Sequence, residues 1–568
     1  MFYVLCRYMS KYVFICKIFG KLCRNMFKFV DICRIMYISI VFCHYIYGII
    51  YMRGSIDMKN YNLDNYIFDI DKYGLKKTWR SILQKTLKGT FISDIFNVDN
   101  YGELYEIGLE RVNAISKKEM GKYYTPRDVA EVMSKWLIPL KGKNVCDIGC
   151  GTGNLILTYL DALGRGKSID LLRNGCIYLY DIDEVALEIC RYSIAIKYGK
   201  EYLKKVHCKK CDFLDKNVRI PRDSKVISNP PYYKITSISE NWTITNVILQ
   251  SKEFYSSFME KILKKSLSSV IITPYSFIGS TKFYTLRKLM NKYNGFVVSF
   301  DNVPGNIFNG RKHGIFNSNT GNSVRAAITV VENKEHSHGF RFSPLIRFKS
   351  EERTNMMDNT FLLSLVNDRY QTVCSKHNSF YKCHNDLLHI FDTWQSKSNR
   401  KLRSLLSSDK GYKIYLPTTC RYFTVGSKSD LCRDGKRIIY IKDKNKYNFV
   451  YCLMNSSFAY WYWRLYDGGI NCALTIINSI PIFYDLFNKK QMLKLDKIAT
   501  KMQSEENKYH VYKLNAGKMQ ENIKFPKKYR DEINSLFFEV LGISDNVDIL
   551  DKIHSSSLFN DKESEPIE

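Results

Sequence analysis

Between residues 126 and 331 short apolar runs of strand length alternate with amphipathic stretches of helix length, and this alternation limits the possible folds more than any other feature of the chain. Val129, Val132, Met133, Trp136 and Leu137 recur at i, i+3, i+4, i+7 and i+8, the stripe of an amphipathic helix. Thr125 is placed to be its N-cap, with Pro126 at the first helical position and Asp128 in the position of a short capping box. A strand-like run ending at Asp147 follows, then a glycine-rich turn and a helix from about Asn154. Further strands are expected at 177–181, 226–228, 270–273, 296–300 and 326–331, with helices at 184–198 and 254–264. Spacing of this kind predicts an α/β domain built on a parallel, doubly wound sheet with helices on both faces, ending near residue 340.

The chain has 568 residues, too many for one hydrophobic core, so two or three units are expected. At 45% hydrophobic and 14% aromatic residues it is not a disordered, collagenous or simple coiled-coil chain. Its 86 Lys and Arg outweigh 56 Asp and Glu, a formal charge of +30. Such a surplus suits a polyanionic partner, nucleic acid first and a membrane surface second, because cations placed near phosphates release condensed counterions. An AT-rich coding sequence, which favours Lys, Ile, Tyr and Phe, accounts for part of it. Beyond residue 340 the alternation is lost. Residues 401–446 carry 12 basic and four acidic residues interleaved with Tyr412, Tyr415, Tyr422, Phe423 and Tyr440, and residues 455–464 are densely aromatic. Lys436, Arg437, Lys442 and Lys444 are the candidate phosphate contacts, the aromatic segment beside them is expected to help read DNA, and a Lys-rich helix is expected at 489–508.

Residues 1–51 differ from the rest, with five cysteines, seven basic residues and one acid, and no charge at all from Ile35 to Met52. The apolar stretch is too long for a secretory signal and lacks a small-residue cleavage site. Three readings stay open: a membrane anchor, an amphipathic surface segment, or an upstream stretch outside the working protein, whose start would then be Met52 or Met58. Residues 52–118 are expected to be mostly helical. The remaining cysteines have no framework spacing; Cys208 and Cys211 lack a second pair, and Cys374, His377, Cys383 and His384 do not have the spacing of zinc ligands. Reduced thiols, a cytoplasmic location and no metal are expected.

Three motifs carry chemistry. Asp147, Gly149, Gly151 and Gly153 form a D-x-G-x-G-x-G turn between a strand and a helix, where glycine lets backbone approach a nucleotide-type ligand. Its spacing is not that of a dinucleotide turn, and it lacks the Lys-Ser/Thr of a triphosphate loop. At the end of the next strand, Asp181 can accept both hydroxyls of a ribose while Ile182 covers one face of an adenine ring. Finally Asn229, Pro230, Pro231 and Tyr232 follow the strand at 226–228. Two prolines remove backbone donors and fix φ, so the Asn side-chain oxygen and a prolyl carbonyl can both accept from one exocyclic amine, with Tyr232 as a flat face for the ring that bears it.

This order of motifs resembles the adenine-N6 DNA methyltransferases of the γ arrangement found in type II restriction-modification systems, in which a Tyr-Thr-Pro motif, a glycine-rich motif and an Asn-Pro-Pro-Tyr motif precede a C-terminal target-recognition domain. The resemblance is strong over 119–340 and weaker over 341–530, and residues 310–325 resemble adenine methyltransferases of type IIS systems. It implies a Rossmann-like S-adenosylmethionine-dependent methyltransferase domain at 119–340 and a mixed α+β DNA target-recognition domain at 341–568. By the same resemblance Tyr124, Thr125 and Pro126 help to hold S-adenosylmethionine, and Asp147 with the three glycines lines its methionine end. Asp181 and Ile182 would meet the ribose and adenine, with Asp212 and Phe213 also at the adenine. Asn229, Pro230, Pro231 and Tyr232 would form the catalytic set, with Phe308 as a second aromatic against a flipped-out adenine. Double-stranded DNA is the implied substrate and a separate restriction endonuclease sharing the site the functional counterpart, with no stable protein partner implied. Three alternatives remain: an N4-cytosine methyltransferase, an Asn-Pro-Pro-Tyr enzyme acting on RNA or a protein glutamine, and a non-catalytic binder of the same fold. Cytosine-C5 chemistry is disfavoured because no cysteine follows a proline, and residues 52–118 are too few for a fused nuclease.

Overall fold

The computed structural model describes residues 61–91, 93–112, 125–308, 324–332, 338–375, 379–515 and 517–559. The leader at 1–51, Met52, Met58, Tyr124, His377, most of 310–325 and the acidic terminus lie outside these residues.

Three helices come first, α1 (Leu63–Tyr73), α2 (Leu75–Lys88) and α3 (Tyr101–Val112). They close around Tyr66, Trp79, Tyr101 and Leu104 and share that core with Ala186 and Ile189 of a later helix. Helix α4 (Arg127–Leu137) leads into β1 (Asn144–Ile148), α5 (Asn154–Leu163), α6 (Arg165–Arg173), β2 (Ile177–Asp181), α7 (Glu184–Tyr198), β3 (His207–Lys210) and β4 (Ser224–Ser228). Helix α8 (Phe254–Lys265), β5 (Ser268–Pro274), β6 (Asn294–Phe300), β7 (Ala326–Glu332) and β8 (Gly339–Ile346) complete an eight-stranded sheet of order β3-β2-β1-β4-β5-β7-β6-β8. One apolar core lies on each face, one including Val129, Ile156 and Ile227, the other Ile148, Val226 and Met259.

Three expectations are corrected here. The sheet is mixed, since β7 runs antiparallel to both β5 and β6 while the other pairs are parallel. Strand β8 runs through the boundary placed at residue 340, so the sheet domain reaches at least Ile346. The N-cap of α4 is Pro126, not Thr125, and no side chain caps that end. Thr125 is used elsewhere, and both oxygens of Asp128 accept from Arg353, at 2.6 and 3.0 Å. At the other end of α4, buried Lys225 of β4 donates to the carbonyls of Leu137, Ile138 and Leu140, satisfying acceptors that the helix terminus leaves open.

The C-terminal region is helical with small antiparallel sheets. Helix α9 (Leu388–Lys397) precedes β9 (Arg400–Lys401), β10 (Leu406–Ser407), β11 (Tyr412–Pro417) and β12 (Lys436–Ile441). Helices α10 (Lys444–Met454) and α11 (Ser457–Tyr466) follow, then β13 (Pro481–Ile482), α12 (Lys489–Glu505), a hairpin of β14 (His510–Asn515) and β15 (Lys518–Ile523), and α13 (Lys527–Leu541). The aromatic segment at 455–464 forms α11 and is buried from Ser457 to Leu465. Its rings pack on Trp394, Phe483 and Phe537. These aromatics are core, which corrects the expectation that they read DNA.

A buried charge cluster joins the two regions. Asp301, just past β6, meets Arg325 at 2.8 Å, Arg347 at 3.1 Å and Arg464 of α11 at 2.8 Å. Burial alone would raise its pKa, but the guanidiniums of Arg464, Arg347 and Arg325 outweigh this and hold it at about 2.

Candidate active site

Strands β1, β2 and β4 are parallel neighbours, and the chain leaves β1 toward β2 and β3 on one side before returning to β4 on the other. A crevice opens at the carboxyl ends of strands where the order reverses in this way. The three chemical motifs all fall there, since each begins within or just after the carboxyl end of one of these strands.

After β1 the chain turns through Gly149, Gly151 and Gly153 with φ of 73°, 51° and 97°, a left-handed region that side chains rarely adopt. At Gly153 a Cβ would also lie 2.4 Å from the Sγ of Cys190, so helix α5 could not pack as closely on α7. The Gly151 amide donates to Asp181 Oδ2 at 2.8 Å and the Asp183 amide to Asp181 Oδ1 at 2.8 Å, which locks the glycine turn to the end of β2.

These turns border a cavity of about 570 Å3 whose wall includes Thr125, Gly149, Gly151, Asp181, Ile182, Asp212, Phe213, Asn229, Pro230 and Pro231. Pro126, Asp147 and Gly153 are not in that wall. Asp147 is fully buried; its Oδ2 accepts from the Ile156 amide at 3.2 Å, while its Oδ1 has no hydrogen-bond partner among the described residues. Burial pushes its carboxyl up to about 8. Ile182 is 64% exposed while Phe213 is 3% exposed, giving one loose and one fixed apolar face. Asp212 is held by the indole of Trp242, which donates to Oδ2 at 2.7 Å, and by the Leu214 amide at 2.9 Å. Among the described residues of the wall there is no Lys, Arg or His, so a phosphate chain would find no counter-charge.

Asn229 Nδ2 donates to Thr125 Oγ1 at 2.9 Å, which fixes the plane of the carboxamide and so the direction of its oxygen. Tyr232 donates to the Ile272 carbonyl at 3.0 Å, and its ring lies edge-on to Phe308 with centroids 6.0 Å apart. Both rings stand beside the cavity rather than in its wall. The structure therefore brings Asn229, Tyr232 and Phe308 together, although Phe308 lies 76 positions beyond Tyr232 in the chain.

Sequence reasoning missed one side of the site. Helix α3 supplies Gly102, Tyr105, Glu106, Leu109 and Glu110 to the wall, and the Tyr105 hydroxyl donates to both oxygens of Asp183 at 2.9 and 2.8 Å. Lys76 and Arg80 of α2 pair with Glu184, and Arg80 also with Glu188, fastening the same helical unit to α7. No motif marks α3; the pattern of tyrosines and acids on one helical face was the available signal.

Of the four candidate phosphate contacts, two are already engaged. Lys436 pairs with Asp430 at 2.5 Å and donates to the Leu431 carbonyl, and Arg437 donates to the Cys472 carbonyl at 2.7 Å. Lys442 and Lys444 are exposed. Among the described residues no group of three or more His, Cys, Asp or Glu is placed to hold a metal ion, and no helix is long and apolar enough to cross a membrane.

Residues 97–312 match the N-6 DNA Methylase family. The type II methyltransferase M.VspI of Vibrio sp. (strain 343) is 30% identical over 154 residues, 27% of this chain and 34% of that protein. The methylase subunit of the type I restriction enzyme MpnII of Mycoplasma pneumoniae is 26% identical over 102 residues, 18% of each chain. The chain thus spans about a third or less of the curated relatives it matches. Among solved structures, that titled as a DrdV-DNA complex is similar at 12% identity and a TM-score of 0.44, over 77% of this chain and 63% of that one. A likeness that loose adds nothing to the strand order already described. The similarity to methylases of restriction-modification systems expected from the motifs is present, and the family match spans α3 and most of the sheet domain.

Proposed function

We propose that the protein is a site-specific DNA methyltransferase that moves a methyl group from S-adenosylmethionine to N6 of an adenine turned out of the duplex. The observation that carries this is the convergence of Asn229 and the glycine turn on one cavity, with Thr125 orienting the Asn carboxamide. The match of residues 97–312 to the N-6 DNA Methylase family supports it.

The residues present fit that cofactor. A wall with acids and no described base suits a cationic ligand and not a di- or triphosphate. Gly149 and Gly151 would face the methionine end, Asp181 the ribose, and Ile182, Asp212 and Phe213 the adenine. When bound, S-adenosylmethionine supplies a sulfonium-activated methyl group.

Adenine N6 is a poor nucleophile because its lone pair is delocalised into the ring, so the protein's work is alignment and placement of acceptors. Asn229 Oδ1 and the Pro230 carbonyl accept the two N6 hydrogens, which draws the lone pair out of the ring and aims it at the methyl carbon. The Pro230-Pro231 turn keeps those acceptors clear of competing backbone donors. Turning the base out costs a few kcal/mol, and stacking on Tyr232 and Phe308, worth about 1–3 kcal/mol per ring, offsets much of it. The edge-on contact between these rings must open to admit a base.

The sheet domain is then the catalytic unit, and the region beyond it the DNA target-recognition domain, with exposed Lys442 and Lys444 as phosphate contacts. Methylation would protect DNA in the cytoplasm from a separate restriction endonuclease. Incubating the chain with tritiated-methyl S-adenosylmethionine and DNA, RNA or protein tests the substrate class: label is expected in DNA alone, and label in RNA or protein with none in DNA would refute it.

A further inference from the structure

The hairpin β14–β15 stands out from the C-terminal region. At its base Ile523 is buried beside Val425 and Leu431, and Glu521 is 5% exposed, accepting from the Cys432 amide, from His510 and from the Tyr512 hydroxyl. Toward the tip the pairing Leu514↔Met519 puts both side chains on the face that also carries Tyr512. These three are 72%, 51% and 58% exposed, so among the described residues that face is covered at its base and open toward the tip. Lys513 and Gln520 pair on the opposite face, as does the backbone of Asn515 with Lys518.

Charge identifies what covers it. Residues 508–524 include Lys508, Lys513, Lys518 and Lys524, and their sole acid, Glu521, is buried and engaged. Lys518 meets Asp434 in a pair that is 71% exposed on both sides, a contact worth little in water. A projecting two-stranded ribbon with lysines on one face suits a DNA major groove, which admits such a ribbon and is about 8.5 Å deep. From Tyr512 to Asn515 the ribbon extends about 10 Å, enough to reach a groove floor. Its base is tied toward the site: Arg433 donates to the Glu521 carbonyl and to Thr419 Oγ1, and two residues further on the Arg421 carbonyl accepts from Arg347 at the end of β8, on the strand-end edge that carries the site.

We infer that the β14–β15 hairpin is a DNA-binding ribbon that enters a groove beside the target base, with Lys513 and Lys518 on phosphates and Leu514 and Met519 against bases. This rests on the DNA reading of the site. The test is fluorescence anisotropy of the full chain with a labelled 40-base-pair duplex of mixed sequence across a sodium chloride series. K513Q/K518Q should flatten the plot of log affinity against log salt by about 2, at roughly 0.9 per phosphate contact. L514S/M519S should weaken binding at least fivefold at every salt concentration with the slope unchanged. Both pairs lie at the exposed tip, so thermal unfolding should match the parent. Unchanged slope and affinity in both variants, with the parent binding DNA, would overturn the inference alone. A change of oligomeric state in L514S/M519S with DNA affinity unaltered would overturn it in favour of a protein interface. Failure of the parent chain to bind the duplex would overturn the DNA reading and the inference with it.

Discussion

Replacing Thr125 by Val keeps the shape of a residue that is 4% exposed and removes the oxygen that accepts from Asn229 Nδ2 at 2.9 Å. The Asn229 amide is then left without that acceptor, and its carboxamide is free to rotate and offer NH2 where the oxygen is needed. Losing one partner of a buried hydrogen bond costs about 1–3 kcal/mol. If that energy is felt where the amine is activated, the methyl-transfer step slows by about 5- to 150-fold, at 1.36 kcal/mol per decade. Thr125→Ser, which restores the oxygen, should recover most of the rate. The assay is single-turnover methyl transfer with saturating cofactor, alongside calorimetric cofactor affinity, which should move less than the rate because the cavity keeps its volume. A Thr125→Val rate within twofold of the parent would refute the claim that this hydrogen bond sets the carboxamide.

Asn229→Ala should abolish transfer while leaving cofactor affinity close to normal, and turnover within about tenfold of the parent would contradict its role. Tyr105→Phe keeps the packed ring but deletes the donor to Asp183, so the KM for S-adenosylmethionine should rise about 3- to 10-fold with kcat little changed, the scale of one net hydrogen bond; a fall in kcat alone would argue against a positioning role. Asp301→Asn leaves Arg325, Arg347 and Arg464 buried without their counter-ion, and denaturant unfolding should show a loss of about 3–5 kcal/mol. In the parent, the Asp301 carboxyl is held at about 2 against an ordinary 3.8. Its stabilisation, about 2 kcal/mol, is therefore full above pH ~4 and is lost as pH falls from there toward ~2.

The strands and helices of the sheet domain were legible because each follows a local pattern, and the three motifs because each pairs a turn geometry with a chemical group. What was not legible depended on partners distant in sequence. Strand β7 runs antiparallel because it returns between β5 and β6, which nothing in its own apolar run specifies. Thr125 looked like a helix cap, since the sequence shows its neighbour Pro126 but not Asn229, 104 positions away. Aromatics at 455–464 looked like a reading surface, because composition does not distinguish rings packed on Trp394 and Phe537 from rings facing solvent. Lys436 and Arg437 raised the same difficulty: their charge is plain in the sequence, their internal partners Asp430 and Cys472 are not. Tyr105 lay in a region with no motif and came to the site only through the packing of α3 over the end of β2.

On the proposed reading, Asn229 and its neighbours direct a methyl group to adenine N6. Nucleoside mass spectrometry of DNA after incubation with the purified chain and S-adenosylmethionine shows which base receives it. N6-methyladenine as the single methylated product is predicted, and its absence from the Asn229→Ala reaction. N4-methylcytosine, or DNA with no added methyl group, would contradict it.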